Sequence, residues 1–433
     1  MTRHSVLVLD GQTNEGLACV RSLGQAGYRV LVASHRLWPL GAWSRHAQGV
    51  FRLAGETRAA FSALRDWAIG QSVGTVLPLT ERSCVLLNLE RDAWESRGIS
   101  VGCGPEELLQ KAFDKATTLQ YAAACGVEIP PTRTPGSLEE CQEAAEELRF
   151  PCIVKSRFSN AWQGGAFVPN LGTSYARGPK ELERAVLAHR QGSSWPLIQG
   201  YVPGRGKGVF AVFNRGQAVA WFAHERLRDV RPSGSGSSLR RAIGLPERLR
   251  TPAMRLLTAL EWHGPAMVEF RDDEVSAPRF MEVNGRFWGS LQLAVDAGVD
   301  FPRMWLDVLR GRPATAPSSY REDVVLRWMW GDVKRVLYIL KGRPPGYPGF
   351  FPGRWQGLRE LFGPQPQGTR LETWRRDDPW PALGELVQGL GELVNRARGE
   401  GGSRPEDAVA DPAPRAGSPA ALSIGHGATP PTV

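Results

Sequence analysis

Lysine is scarce in this sequence. Seven lysines, at positions 111, 115, 155, 180, 207, 334 and 341, stand among 53 basic residues, the rest being arginine. A compact ammonium on a flexible stem suits a phosphate where the planar guanidinium fork would be bulkier, so each retained lysine is a candidate for a specific contact. Cysteine is sparse too. Cys19, Cys84, Cys103, Cys125, Cys141 and Cys152 are scattered without Cys-x-x-Cys spacing, which argues against a structural zinc site and a secreted disulfide framework and predicts reduced, partly buried thiols. No apolar run reaches the roughly 18 residues of a membrane span, and the apolar start at 6–9 is cut short by Asp10, so neither a span nor a signal peptide is expected. The expectation is a cytoplasmic chain with no membrane partner. The net charge is +9, but no basic block interleaved with aromatics accompanies it, so the excess reads as a solvated arginine-rich surface and no nucleic-acid partner is expected. Among the seven histidines no Ser-His-Asp or Cys-His arrangement is evident.

What is present is an α/β alternation. An apolar strand at 5–9, the turn Asp10-Gly11-Gln12-Thr13-Asn14, a helical pattern at 15–26 and a strand at 29–33 form a βαβ opening. A strand at 73–77 and a helix at 81–94 continue it, predicting a doubly wound parallel sheet. Gly11 and Gly16 do not make the Gly-x-Gly-x-x-Gly fingerprint, so Gly11 reads as a tight strand-to-helix turn. From Lys111 the expected order is a helix at 114–125, a strand, a helix at 138–148, the strand Cys152-Ile153-Val154-Lys155 and the Gly-rich Gln163-Gly164-Gly165. After a helix at 180–190, β character follows at 197–202, 209–213, 218–223, 266–270 and 279–283, then helices at 288–297 and 302–309. Tryptophans 328, 330, 355, 374 and 380 make 314–398 read as a packed helical extension, because aromatics bury large areas. The tail at 399–433, rich in Gly, Pro, Ala and Ser without an aromatic, reads as disordered.

The chemistry-bearing pattern is Val268-Glu269-Phe270 and Met281-Glu282-Val283-Asn284 as two strands of a hairpin. A register centred between Val275 and Ser276 sets Glu269 opposite Glu282, and period-two alternation projects Glu282, Asn284 and Arg286 together. Two carboxylates facing across a ladder are destabilising by up to roughly 1 kcal/mol unless neutralised. A hard divalent cation would do this: Mg2+ takes carboxylate and carbonyl oxygens and keeps room for phosphates. Arg286 would bind phosphate oxygens and stabilise charge developing in transfer. Lys155 ends its strand where a Gly-rich segment begins, within reach of a phosphate. Lys115 sits in the first turn of a helix. Gln199-Gly200-Tyr201-Val202-Pro203-Gly204 offers an extended edge suited to adenine.

Taken in order, these residues resemble the ATP-grasp superfamily, particularly its carbamoyl-phosphate-synthetase-like carboxylate-amine ligases. The resemblance covers 5 to about 312, and its most specific stretch is Met281-Glu282-Val283-Asn284-Gly285-Arg286-Phe287-Trp288-Gly289-Ser290. It implies an N-terminal doubly wound parallel α/β domain over 1–110 and an ATP-grasp fold of two α+β subdomains over 111–313; the helical C-terminal extension over 314–398 and the tail beyond lie outside it. By that likeness Glu269, Glu282 and Asn284 are ligands of Mg2+ (or Mn2+). Lys115 and Lys155 are the nucleotide-phosphate lysines, with Gly164 and Gly165 in the lid over ATP. Gln199, Tyr201 and Val202 form the adenine hinge, and Arg286 and Lys155 are the catalytic groups.

The loop at 231–241 lies where similar enzymes close over the acceptor, so Ser235, Gly236, Arg240 and Arg241 are expected substrate contacts, and Ser290, just after the strand of Glu282, is a further one. The reaction implied is ATP-dependent activation of a carboxylate as an acyl phosphate and its capture by an amine, with ATP as co-substrate. Expected partners are a small-molecule carboxylate and amine, with a homodimer admitted. A small-molecule kinase and a non-catalytic ATP-binding protein are the alternatives.

Overall fold

A computed structural model describes residues 5–163, 165–168 and 170–397. Gly164, Arg398 and the tail expected to be disordered lie outside the described residues. Strands β1 (Ser5–Val8), β2 (Arg29–Ser34), β3 (Ala47–Arg52), β4 (Val73–Leu77) and β5 (Ser100–Val101) form one parallel sheet in the order β3-β2-β1-β4-β5. Val6, Leu7, Val8, Val30, Leu31 and Val32 are fully buried, as a parallel sheet covered on both faces requires. The strand order reverses between β1 and β4, which opens a crevice at their carboxyl ends. Two loops border it. Thr13 caps the helix Asn14–Gln25, Thr80 caps the helix Glu81–Asn88, and the Asp10 carboxylate accepts from Leu79 N (3.1 Å), Thr80 N (3.0 Å) and Ser83 Oγ (2.6 Å), tying the loops together. The helix expected over 81–94 is two: it stops at Asn88 and restarts over Arg91–Glu95, with Glu90 between them at φ −130° and ψ 21°, off the helical geometry, and its carboxylate held by Arg65 and Ser62.

Strands β6 (Thr132–Arg133), β7 (Cys152–Lys155), the separate hairpin of β8 (Ala161–Gln163) and β9 (Ala166–Val168), β10 (Thr173–Ala176) and β11 (Leu197–Gly200) follow. Four of them make an antiparallel sheet, β10-β7-β11-β6. Helices Leu138–Leu148 and Pro179–His189 cover it through Cys141, Ala145, Leu182 and Val186 against Val154 and Ile198.

A seven-stranded sheet completes the body: β12 (Arg205–Asn214), β13 (Gln217–Arg231), β14 (Ser235–Ile243), β15 (Gly264–Asp272), β16 (Arg279–Asn284), β17 (Val325–Arg327) and β18 (Thr369–Leu371), ordered β16-β15-β12-β13-β14-β17-β18. Three expectations change here. The segment 231–241 is not a loop but the end of β13, a short turn and most of β14, in the middle of the sheet. The region after 314 is helical as expected, with helices Met329–Lys341, Arg354–Phe362 and Trp380–Ala397, but it does not stand apart, since β17 and β18 extend this same sheet. Its tryptophans are not uniformly packed: Trp330 is buried, whereas Trp355 is 85% exposed and Trp374 and Trp380 lie largely on the surface. None of the six cysteines is in a disulfide, and all but the half-buried Cys125 are buried. Among the described residues no helix is long and apolar enough to cross a membrane.

Candidate functional site

The site lies where the ends of the two antiparallel sheets and the crevice of the parallel sheet converge. Glu269 of β15 pairs directly with Glu282 of β16, and Met267 with Asn284, so Glu282 and Asn284 share the face of Glu269. A bulge between Glu269 and Phe270 absorbs Met281. Beyond Asn284 the chain turns away at Gly285, where a Cβ would come within 2.7 Å of the Trp262 ring; a side chain there would displace the strand that carries Glu282 and Asn284.

The charges at this pair are balanced from three directions. Burial pushes the Glu282 carboxyl up, but Lys115 and Lys155, the Asn284 amide at 3.3 Å and Arg226 outweigh it and hold the group below the usual carboxylate range. Arg226 of β13 reaches across β12 to an ion pair with Glu269. It can do so because β12 presents glycine beneath it: a Cβ on Gly206 would lie 2.4 Å from Arg226 Nε, and one on Gly208 2.5 Å from Phe210 and 3.1 Å from His224. Burial drives the Lys155 ammonium down to about 8, with Lys115 and Arg271 adding to the fall and Glu282 and Glu269 opposing it.

The two lysines are fixed relative to each other. Lys155 Nζ donates to Gln199 Oε1 at 2.9 Å, and Gln199 Nε2 donates to Thr132 Oγ1 at 2.8 Å, spanning three strands. Lys115 Nζ donates to Ser159 Oγ at 2.6 Å. Asp114 caps the helix Lys115–Ala124 and also takes a two-bond fork from Arg157 (2.9 and 2.7 Å), so the helix carrying Lys115 is clamped to the chain two residues past Lys155. Between them the β8–β9 hairpin projects with Gly165 in the left-handed region at φ +82°.

The parallel domain contributes a carboxylate that the sequence reading missed. Glu81, in the first turn after the β4 loop, accepts from Asn160 Nδ2 at 2.9 Å; burial raises its pKa, while Arg286 and Lys115 oppose the rise. Arg286 Nη1 donates to Phe287 O at 2.8 Å, and its charge faces Glu81 across the cleft. Tyr201 and Val202 follow β11 as a half-buried edge, with the Tyr201 ring 6.2 Å from Tyr347 of the C-terminal region.

The expected substrate contacts fare unevenly. Ser290 is buried against His224 Nδ1 at 3.1 Å. Ser235 and Gly236 are exposed just past the β13–β14 turn. Arg240 is not offered to a ligand: it is fully buried in an ion pair with Glu372, which comes from the segment after β18 and also accepts from Asn14 at 3.1 Å. Arg241 is on the wrong face. It sits opposite Glu225, and Glu225 opposite Lys207, which places all three on the side of the sheet away from Glu269.

Among the described residues no cluster of three or more Asp, Glu, His or Cys gathers, so a metal here must take oxygen from Asn284 and from groups outside the chain. Two carboxylates and a carboxamide are hard oxygen donors with spare coordination, which fits Mg2+ and does not fit a soft transition metal. Gly206 and Gly208 in alternation were the sequence signal for Arg226; nothing local signalled Glu372.

The chain is similar to known proteins in part of its sequence and in its fold. Residues 197–331 match the family described as ATP-grasp in the biosynthetic pathway with Ter operon. A 91-residue stretch, 20% of this chain, is 30% identical to the carbamoyl phosphate synthase large chain of Rubrobacter xylanophilus and spans 9% of that relative's length. Among solved structures, biotin carboxylase from Campylobacter jejuni in its β-γ-ATP complex superposes with a TM-score of 0.59 at 17% identity, over 74% of each chain. The N5-carboxyaminoimidazole synthetase of Staphylococcus aureus with ADP does so at 0.57 and 16%, over 73% of this chain and 79% of that one. The biotin carboxylase domain of Hydrogenobacter thermophilus 2-oxoglutarate carboxylase, solved with MgADP, ADP and bicarbonate, gives 0.59 at 16%, over 75% and 74%. The chain has the ATP-grasp fold, and its most clearly matched part in sequence is the stretch that includes the Glu269–Glu282 hairpin.

Proposed function

We propose that this protein is an ATP-dependent carboxylate-amine ligase. The observation that carries the reading is the Glu269–Glu282 pair, directly opposed across β15 and β16, with Asn284 on the same face and Lys115 and Lys155 both acting on Glu282. A polar hairpin without a ligand has no need of two cations converging from separate elements on one carboxylate.

In this reading Glu269, Glu282 and Asn284 would hold Mg2+ (or Mn2+), which supplies charge neutralisation of the ATP phosphates. Lys115 and Lys155 bind phosphate oxygens, Gly165 lies in the lid, and Gln199, Tyr201 and Val202 flank adenine. A carboxylate oxygen attacks the γ-phosphorus, the bond to ADP breaks, and an acyl phosphate forms. An amine nitrogen then attacks the acyl carbon, phosphate leaves, and the amine gives up a proton. Arg286 stabilises charge as it develops, while alignment of the reactants does the rest. Ser290, Ser235 and Gly236 remain the proposed contacts on the substrate side; the guanidiniums of Arg240 and Arg241 are withdrawn from it.

The test is hydroxamate formation detected by mass spectrometry. Purified protein is given Mg-ATP, hydroxylamine and pooled amino acids and other carboxylates, with Glu282→Gln as control. A hydroxamate made by the wild type and lost in the control is expected and names the acid. ATP binding without any hydroxamate would favour a kinase or a non-catalytic binder.

A further inference from the structure

The helix Trp380–Ala397 is inside out. Its two glutamates and two of its glycines, Gly384 and Gly389, face the body of the protein. Glu385 accepts from Trp328 Nε1 at 2.6 Å and Thr373 Oγ1 at 3.0 Å, Glu392 pairs with Lys334 at 3.1 Å, and Gly384 and Gly389 are positions where a Cβ would strike Trp43 and Trp330. The large apolar side chains point outward: Trp380, Leu383, Val387, Leu390 and Val394 are 44 to 61% exposed. An amphipathic surface helix normally does the reverse.

The spacing of those five residues is 3, 4, 3 and 4, the a and d positions of a heptad, which is the seam one helix presents to another. We propose that this seam is covered by the same helix of a second copy of the chain, in a two-fold dimer. Partner choice in helix pairs is commonly set by charges at the flanking e and g positions. Here those positions are Gly384, Gly391, Leu386 and Leu393. No charge selects a different partner, and an uncharged stripe is complementary to itself. Gly391 has open space around it, so the two backbones can approach closely.

Leu37 and Trp38, both exposed, extend the patch, since the neighbouring Arg36 pairs with Glu392. With Leu386 these side chains expose on the order of 900 Å2, about what one partner contributes to a standard interface and more than a monomer usually leaves bare. A membrane surface fits less well. Interfacial helices carry Lys and Arg on an exposed polar face, whereas the helix Trp380–Ala397 contains a single basic residue, Arg396, and turns both glutamates inward.

Sedimentation equilibrium of the full chain at micromolar concentration tests this. The wild type should sediment at twice 47.5 kDa, and Leu383→Glu with Leu390→Glu should halve that mass while leaving the circular dichroism spectrum unchanged. Because a doubly charged helix can detach, Leu390→Cys is the second probe: mild oxidation should give a covalent dimer, and the exposed control Glu183→Cys should not. Several results would overturn the proposal: a monomeric wild type, a dimer indifferent to the charged pair, or a monomer that pelts down with phosphatidylglycerol vesicles. So would a chain ended at 397 that dimerises when the full chain does not, because residues 398–433 would then be what covers the seam.

Discussion

Glu372 and Arg240 form an ion pair that is almost completely buried, joining the segment after the last strand to the middle of the central sheet. Asn14 of the parallel domain donates to the same carboxylate at 3.1 Å, so three parts of the chain meet on one acidic group. Burial raises the pKa of Glu372 and Arg240 opposes the rise.

Removing one partner of such a pair leaves an uncompensated buried charge. Glu372→Ala is therefore expected to destabilise the protein by about 3 to 5 kcal/mol, read from urea unfolding, while the double change Arg240→Met with Glu372→Leu should recover most of the loss. If Arg240 instead waited for a substrate carboxylate, Glu372→Ala would cost little stability and would alter substrate KM.

Arg286 follows β16 and faces Glu81 electrostatically. As a donor to charge that develops in transfer, its loss in Arg286→Ala should lower turnover by roughly 100-fold to 1,000-fold. ATP affinity, measured by calorimetry, should change far less. A fall in kcat below about threefold on the substrate found by hydroxamate trapping removes Arg286 from the transition state.

Much of this geometry was legible beforehand because it is local. The turn between β15 and β16 is short, so centring it between Val275 and Ser276 set Glu269 opposite Glu282, and the strands pair in that register. Alternation within β16 then placed Asn284 without further information. Helix 138–148 and strand 152–155 were equally plain, bounded by a Ser137 cap and by apolar runs. What escaped was non-local. Segment 231–241 is rich in Gly and Ser and reads as a loop, but pairing with β13 and β17 on either side overrides that propensity. Alternation could have separated Arg240 from Arg241, had the segment been read as a strand. The partner of Arg240 lies 132 residues downstream, and no pattern within the sequence links them. The tryptophans after 314 misled for a different reason: composition says that aromatic surface exists, not which side of a helix carries it.

Lys155 supplies a pH dependence with a definite sign. Its ammonium is pushed down to about 8 by burial, with opposition from Glu282 and Glu269. A bound phosphate favours the charged form and raises that value, so the complex holds more protons than the free protein near and above pH 8. ATP binding without metal should take up a proton there, and affinity should fall as pH rises. Calorimetry in two buffers of different ionisation enthalpy reads the uptake directly. Lys155→Met should abolish it; equal uptake in both proteins would mean that another group titrates.

His189 of the helix covering the four-stranded sheet carries a prediction for acid stability. It is buried between Ser156 Oγ (3.0 Å from Nδ1) and Ser174 Oγ (2.8 Å from Nε2), and burial pushes its pKa down to about 4. The unfolded chain, with an ordinary histidine near 6.5, binds more protons than the native one between these values, so stability is full above about pH 6.5 and declines as pH falls towards 4. The shift corresponds to about 3 kcal/mol. Urea unfolding at pH 7 and pH 4.5 should show a smaller pH-dependent loss for His189→Gln than for the wild type, even though the variant starts from a lower stability at pH 7. His224, also depressed by burial, is present in both proteins and cancels in the comparison. Parallel profiles for the two proteins would show that His189 takes up its proton alike in the folded and the unfolded chain, and that the acid transition is set elsewhere.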